Sequence, residues 1–255
     1  MRYEILGPLR VIDGRNAKTI KAQKVEILLA ALVIRCDQVV STDQLFREIW
    51  GEKLPRSAMA GLYVYISQIR KLLRHPGTET SPVLTRPPGY MLTLGPYGHD
   101  GHDGLDLHDF TRLLKEGRAH LRNGRYEPAV RSFEHALTLC RGPLLADVAL
   151  GPILQGFRTW LSEAQLECME SLMEARMALG HHRELVSDLY LLSTEHPLRE
   201  AFHRQLMLAL HHSGSRGDAL LVYQKARRTL REELGVEPGR ALQNIQRTIL
   251  TDNGH

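Results

Sequence analysis

The chain has 255 residues, 43% of them apolar and 24% charged, which excludes a disordered or fibrous polymer and leaves room for one large domain or two ordinary ones. Its net charge of +4 is unevenly spread: residues 1–95 carry a surplus of 6 positive charges and the remainder a deficit of 2, so the first part is expected to meet nucleic acid rather than an acidic protein. Three dispersed cysteines (Cys36, Cys140, Cys168) form no CxxC pair, which fits a reducing compartment and argues against structural zinc.

Residues 3–20 read as short β-prone runs separated by the turn dipeptides Gly7-Pro8 and Asp13-Gly14, and predict a small antiparallel sheet. A helix is predicted over 22–35, with Val25, Leu28, Leu29, Leu32 and Val33 on one face. An extended piece at 38–40 leads to a second helix over 43–50, for which Thr42 or Asp43 is a plausible N-cap. After the loop GEKLP comes a longer helix over about 56–74, then two strand-like runs flanking Pro87-Pro88-Gly89 over 83–94. Helix, turn, longer helix and hairpin is the order of a winged helix-turn-helix, whose second helix enters the major groove.

The longer helix has two distinct faces. Ala58, Leu62, Ile66, Ile69 and Leu73 repeat at helical spacing and are expected to face the core. The opposite side carries Ser57, Ala60, Val64, Ser67, Gln68 and Lys71, flanked by Arg56, Tyr63, Arg70 and Arg74. No acidic residue occurs from Lys53 to Thr78, the sign bias that a phosphate-facing surface needs. Gln68 has the paired donor and acceptor that read an adenine edge, and Val64 can meet a thymine methyl. Of Tyr63 and Tyr65, one is expected to touch DNA and the other to pack. Thr85 and Arg86 stand at the hairpin tip, where an arginine suits a minor groove or a phosphate. Trp50 ends the shorter helix and reads chiefly as a core anchor whose indole N–H could still reach a phosphate. The expected DNA-binding set is therefore Trp50, Arg56, Ser57, Tyr63, Val64, Ser67, Gln68, Lys71, Thr85 and Arg86.

Residues 95–104, with four glycines and a proline, read as a linker and domain boundary. His99, Asp100, His102 and Asp103 within it are metal-ligand types, but nothing nearby is rigid enough to fix them, so no metal site is expected. Beyond it the chain is predicted helical and repetitive. Gly124, Ala129, Phe133 and Ala136 recur at identical spacing as Gly214, Ala219, Tyr223 and Ala226, and a looser copy runs Gly180, Leu185, Leu189, Leu192. The latter two glycines lie 34 residues apart, the period of tetratricopeptide helix pairs. Each glycine is expected to end the first helix of its pair. An inserted, Gly- and Pro-rich stretch is read over 141–157. His181-His182 and His211-His212 flank two of the glycines and read as exposed turn residues.

No nucleotide-binding loop, nucleophile elbow or zinc-hydrolase motif is present in the sequence, so neither catalysis nor a cofactor is expected. The longest apolar run, 27–34, falls far short of the roughly 20 residues that span a bilayer. The N-terminus enters a strand pattern directly, with no signal peptide read. A cytoplasmic, nucleoid-associated protein is expected.

These residues resemble the Streptomyces antibiotic regulatory protein family of transcriptional activators. The resemblance rests on ILGPLRV, DQVVSTDQLFREIWG, VYISQIRKLL and TRPPGYML in the first part, which looks like an OmpR-type winged helix. In the second part it rests on RGPLLAD, EHPLREAFHRQLMLAL and DALLVYQKARRTLREELGVEPGRALQ, which look like the bacterial transcriptional activation domain. It implies a pathway-specific activator of a secondary-metabolite gene cluster that binds direct repeats near the promoter −35 element, self-associates on DNA and recruits RNA polymerase holoenzyme. By position, Val64 and Gln68 match base-reading sites of OmpR-type recognition helices, and Thr85 and Arg86 match wing contacts. Ser67-Gln68 stands where many OmpR-type helices carry paired arginines, and Cys140 where an aromatic residue commonly precedes the RGP motif. The expected architecture is mostly α with a small β component: a winged helix over 1–95, a linker over 96–104 and an all-α tetratricopeptide-like domain over 105–251. The rival readings are a helical adaptor that does not bind DNA and a repressor acting by promoter occlusion.

Overall fold

The computed structural model describes residues 1–14, 16–20, 22–74, 81–94, 104–145 and 149–252. Most of the glycine-rich segment, including His99, Asp100, His102 and Asp103, lies outside them. The chain forms two compact units, Met1–Leu113 with Ala136–Gln165, and Leu114–His135 with Leu166–His255.

The first unit opens with an antiparallel sheet of β1 (Arg2–Glu4), β2 (Arg10–Asp13) and β3 (Asn16–Lys18), in that order. Gly14 takes φ 60° in the β2–β3 turn, which a side chain would disfavour. Helix α1 (Gln23–Ile34) is buried from Ile27 to Val33, wider than the single face its sequence pattern suggests. β4 (Val40–Ser41) leads into α2 (Thr42–Trp50), α3 (Ala58–Leu72) and the hairpin β5 (Val83–Arg86) and β6 (Gly89–Leu92). The second sheet has the order β4-β6-β5. All five residues of the predicted α3 stripe, Ala58, Leu62, Ile66, Ile69 and Leu73, are buried. The α2 N-cap is Ser41, not Thr42 or Asp43: its hydroxyl accepts from Gln44 N at 3.2 Å while Gln44 Oε1 accepts from Ser41 N at 3.0 Å. This reciprocal capping box satisfies two otherwise orphaned donors.

The unit that holds the winged helix continues past residue 95. Asp106, at the start of α4 (Asp106–Arg122), is buried, and its carboxylate accepts from Ile5 N at 2.8 Å and Leu6 N at 3.0 Å. Arg141 approaches that carboxylate at 3.6 Å and Glu4 at 3.5 Å, and its guanidinium donates to the Pro8 carbonyl at 3.3 Å. Further along, Glu48 of α2 is buried against the start of α6 (Pro152–Ala178), accepting from Ile153 N and from Leu154 N, the latter at 3.5 Å. Those N–H groups belong to the first turn of a helix and have no partner within it, so a carboxylate there is also favoured by the helix dipole. Gly151 permits the approach, since a Cβ there would lie 2.5 Å from Glu48 Cα.

In the second unit α5 (Tyr126–Thr138), α7 (His182–Glu195), α8 (Glu200–His212), α9 (Arg216–Leu234) and α10 (Arg240–Thr251) complete the helical array. α7 packs on α8, α8 on α9, and α10 against both α8 and α9. Gly124, Gly180 and Gly214 have φ of 67°, 87° and 82° and end α4, α6 and α8, as the repeat pattern predicts. Ala129, Ala136, Ala219 and Ala226 are fully buried with Phe133, Leu189 and nearly buried Tyr223, the close approach that small residues allow. The inserted stretch is only partly irregular, because helix α6 already begins at Pro152, a first-turn position that needs no N–H. Not all the histidines are free turn residues either. His182 stacks on His212 with ring centroids 4.4 Å apart, and His211 Nε2 lies 2.9 Å from the Asp252 carboxylate.

Candidate nucleic-acid interface

α3 turns its apolar stripe inward and leaves a continuous outer face. Ser57, Ala60, Tyr63, Val64, Ser67, Gln68 and Lys71 are all exposed, as are Arg56 before the helix and Arg74 after it. Tyr63 and Val64 are 58% and 52% exposed, so the middle of this face presents an aromatic and a branched aliphatic side chain outward. Tyr65, one position on, is half-buried and stacks on Trp50 with centroids 6.0 Å apart. The two tyrosines thus divide between surface and packing.

Trp50 closes α2 against α3. Its indole meets Phe46 edge-on at 5.8 Å, carries Lys24 Nζ 5.3 Å from its ring centroid, and lies against Gly61, where a Cβ would come within 3.2 Å of the ring. The ring is half-buried and committed to protein neighbours. Its structural part is therefore to set the angle between the two helices, and the Gly61 position lets them close.

The hairpin is held from several sides. Gly89 pairs with Ser41, and a Cβ at that position would fall 1.9 Å from the Val40 carbonyl oxygen, so only glycine fits. At the tip, the Pro88 carbonyl accepts from Thr42 N at 3.1 Å and from Thr42 Oγ1 at 3.2 Å. Thr85 and Arg86, at the free end of β5, are exposed. Thr85 Oγ1 accepts from Arg70 Nη2 at 2.8 Å, while Arg70 Nε donates to the Val83 carbonyl at 3.1 Å. At the same C-terminal end of α3, Lys18 Nζ donates to the Leu72 carbonyl at 2.9 Å and pairs with Asp13 at 2.9 Å. A lysine there satisfies an orphan carbonyl and complements the helix C-terminus. Sequence reasoning did not find the Lys18 contact, the bond of Thr42 to the hairpin or the inward turn of Arg70, because each joins residues that no local pattern connects.

The sequence-predicted residues consequently fall into two exposed groups, Arg56 and Ser57 just before α3 with Tyr63 to Lys71 on it, and Thr85 with Arg86 on the hairpin, while Trp50 packs against α3 at Gly61 and Tyr65. Among the described residues no group of three or more His, Cys, Asp or Glu side chains is placed to hold a metal ion, and no described helix is long and apolar enough to cross a membrane.

Comparison with known proteins agrees with this geometry. Residues 105–250 match the bacterial transcriptional activator domain, and residues 18–92 match the transcriptional regulatory protein C-terminal domain. The chain is 34% identical to the regulatory protein DnrI of Streptomyces peucetius, over 98% of its own length and 92% of DnrI. It is 36% identical to the regulatory protein AfsR of Streptomyces coelicolor, over 98% of its length but only 24% of AfsR. A solved structure of Mycobacterium tuberculosis EmbR, in complex with a low affinity phosphopeptide, matches with a TM-score of 0.89 and 31% identity, covering 98% of this chain and 64% of that one. With a winged helix, a tetratricopeptide-like helical region and both family domains in this order, the chain belongs to the Streptomyces antibiotic regulatory protein family of transcriptional activators.

Proposed function

We propose that this activator binds promoter DNA sequence-specifically, with α3 in the major groove and the β5–β6 wing on the neighbouring backbone or minor groove. The observation that carries this reading is the outer face of α3, where Ser57, Tyr63, Val64, Ser67, Gln68 and Lys71 stand exposed within a stretch that has no acidic residue between Lys53 and Thr78. A plain solvated helix would carry Glu there, whereas a groove-reading helix needs small, apolar and amide side chains beside bases and cations beside phosphates. Gln68 and Val64 read base edges, Arg56, Lys71 and Arg86 meet phosphates or the minor groove, and Ser57, Ser67 and Thr85 donate to the backbone. Trp50 contributes through the packing that orients α3, with its N–H the part that could reach a phosphate.

The operator is proposed to be a direct repeat near the −35 element, with one protomer on each half and the helical region, over about 105–251, offering its stacked surface to RNA polymerase holoenzyme. The genes controlled would be a secondary-metabolite cluster. DNase footprinting on the promoters beside its own locus, followed by run-off transcription with purified holoenzyme, tests this. Two protected half-sites and increased transcript are expected. Protection with decreased transcript would convert the reading to repression by occlusion, and no protection would leave a helical adaptor.

A further inference from the structure

Arg70 differs from the other basic residues at this end of the winged helix. Lys71 and Arg74 are exposed, but Arg70 is half-buried and its guanidinium is spent on the hairpin. It donates to the Val83 carbonyl at 3.1 Å and to Thr85 Oγ1 at 2.8 Å, and its Cζ lies 6.0 Å from the centre of the Tyr90 ring. These three partners sit on both strands of the wing. β5 is the outer strand of the β4-β6-β5 sheet, paired on one side by β6. It is also the strand that carries Thr85 and Arg86. An outer strand has a row of backbone groups with no neighbouring strand, and the Arg70 fork occupies part of that row from α3.

We infer that Arg70 is a positioning residue for DNA recognition: it locks the wing to the recognition helix and so fixes where Arg86 stands relative to Gln68, instead of contacting phosphate itself. This rests on the DNA-binding reading above. The planar fork matters because it engages two acceptors in fixed directions while lying near an aromatic ring, which a lysine's point charge cannot reproduce.

The test uses the full-length protein and its variants Arg70→Met, Arg70→Lys, Arg86→Ala and Arg70→Met/Arg86→Ala. Hydrogen exchange on the free protein comes first. Both Arg70 variants should speed exchange over residues 83–86 while keeping a cooperative melt, and unchanged exchange would overturn the clamp whether or not DNA is bound. On footprinted operator DNA, Arg86→Ala should weaken the parent by about tenfold but add almost nothing to Arg70→Met. The salt dependence of Arg70→Met should match that of Arg86→Ala, and the double variant should lower the slope no further, whereas a phosphate contact of its own at Arg70 would lower the double variant's slope by about one more. Binding by Arg70→Lys equal to the parent, together with a slope for the double variant below that of Arg86→Ala, would make Arg70 a phosphate contact and end the proposal. A parent that binds no operator would sink the DNA reading alone, because the exchange data judge the clamp independently.

Discussion

Gln68 and Lys71 share one exposed face of α3, yet their chemistry separates what each can contribute to recognition. An amide that pairs with a base edge discriminates among sequences, so Gln68→Ala should cost ~1–3 kcal/mol of specific affinity and leave non-specific binding intact. A lysine that neutralises phosphate acts on any duplex, so Lys71→Ala should weaken both alike and reduce the salt slope by about one. Titrations of operator and scrambled DNA across a salt series distinguish them, and equal losses on both DNAs for Gln68→Ala would remove it from base reading. Arg86 and Trp50 form a second contrast. Arg86 is exposed at the wing end, so Arg86→Ala should melt with the parent and bind DNA less tightly. Trp50 stacks on Tyr65, meets Phe46 and lies under Lys24, so Trp50→Ala should cost about 3 kcal/mol of stability, the lower end for a tryptophan because the ring is only half-buried. An Arg86→Ala protein that binds as the parent does would end the wing assignment.

Between elements, two buried carboxylates contribute to the pH dependence expected of the first unit. Burial pushes the Glu48 carboxyl of α2 up, against the opposing pull of the Ile153 and Leu154 N–H groups. Burial also raises Asp106, against the Ile5 and Leu6 N–H groups and Arg141. An acid whose folded pKa exceeds its unfolded value holds its proton more tightly in the folded state. Its contribution is therefore most favourable below the unfolded pKa and is lost as pH rises through the window up to the folded pKa. Glu48→Gln should flatten that fall, because the amide stands in for the protonated acid: melts of parent and variant should lie closest near about pH 4, and the parent should fall below the variant as pH rises toward about 7. A parent-minus-variant difference that is constant with pH would show that Glu48 titrates alike in both states. Neither carboxylate role is written in the sequence. The α3 stripe, the hairpin and the repeat glycines were legible because periodicity and turn chemistry are local, and so was the exposure of the outer α3 face. Glu48 and Asp106 carry no local signal of burial, since their partners lie about a hundred positions away. For the same reason α6 beginning at Pro152 was hidden inside a Gly- and Pro-rich stretch.

At the scale of the whole molecule, a cut at residue 95 would remove Asp106, Arg141 and the α6 start from the unit that contains the winged helix. Ile5 and Leu6 N–H would lose their acceptor and Glu48 its donors, so a 1–95 fragment should melt well below the full chain and bind operator weakly. The sharper test of how the molecule works therefore keeps the chain intact and alters the DNA. If one protomer sits on each direct repeat with both facing the same side of the duplex, half-sites must be spaced near a whole number of turns, ~10–10.5 bp or a multiple. Inserting about 5 bp between the repeats rotates one half-site to the opposite face, whereas about 10 bp restores the phase. Each protomer would still find its own half-site, because α3 and the wing are unchanged, but contacts between protomers and the shared approach to polymerase would be broken. Single-site affinity should thus hold while cooperative binding and run-off transcript collapse at the half-turn insertion and recover at the full turn. Transcript that is indifferent to phase would show that the two protomers act independently, and the direct-repeat arrangement would have to be given up.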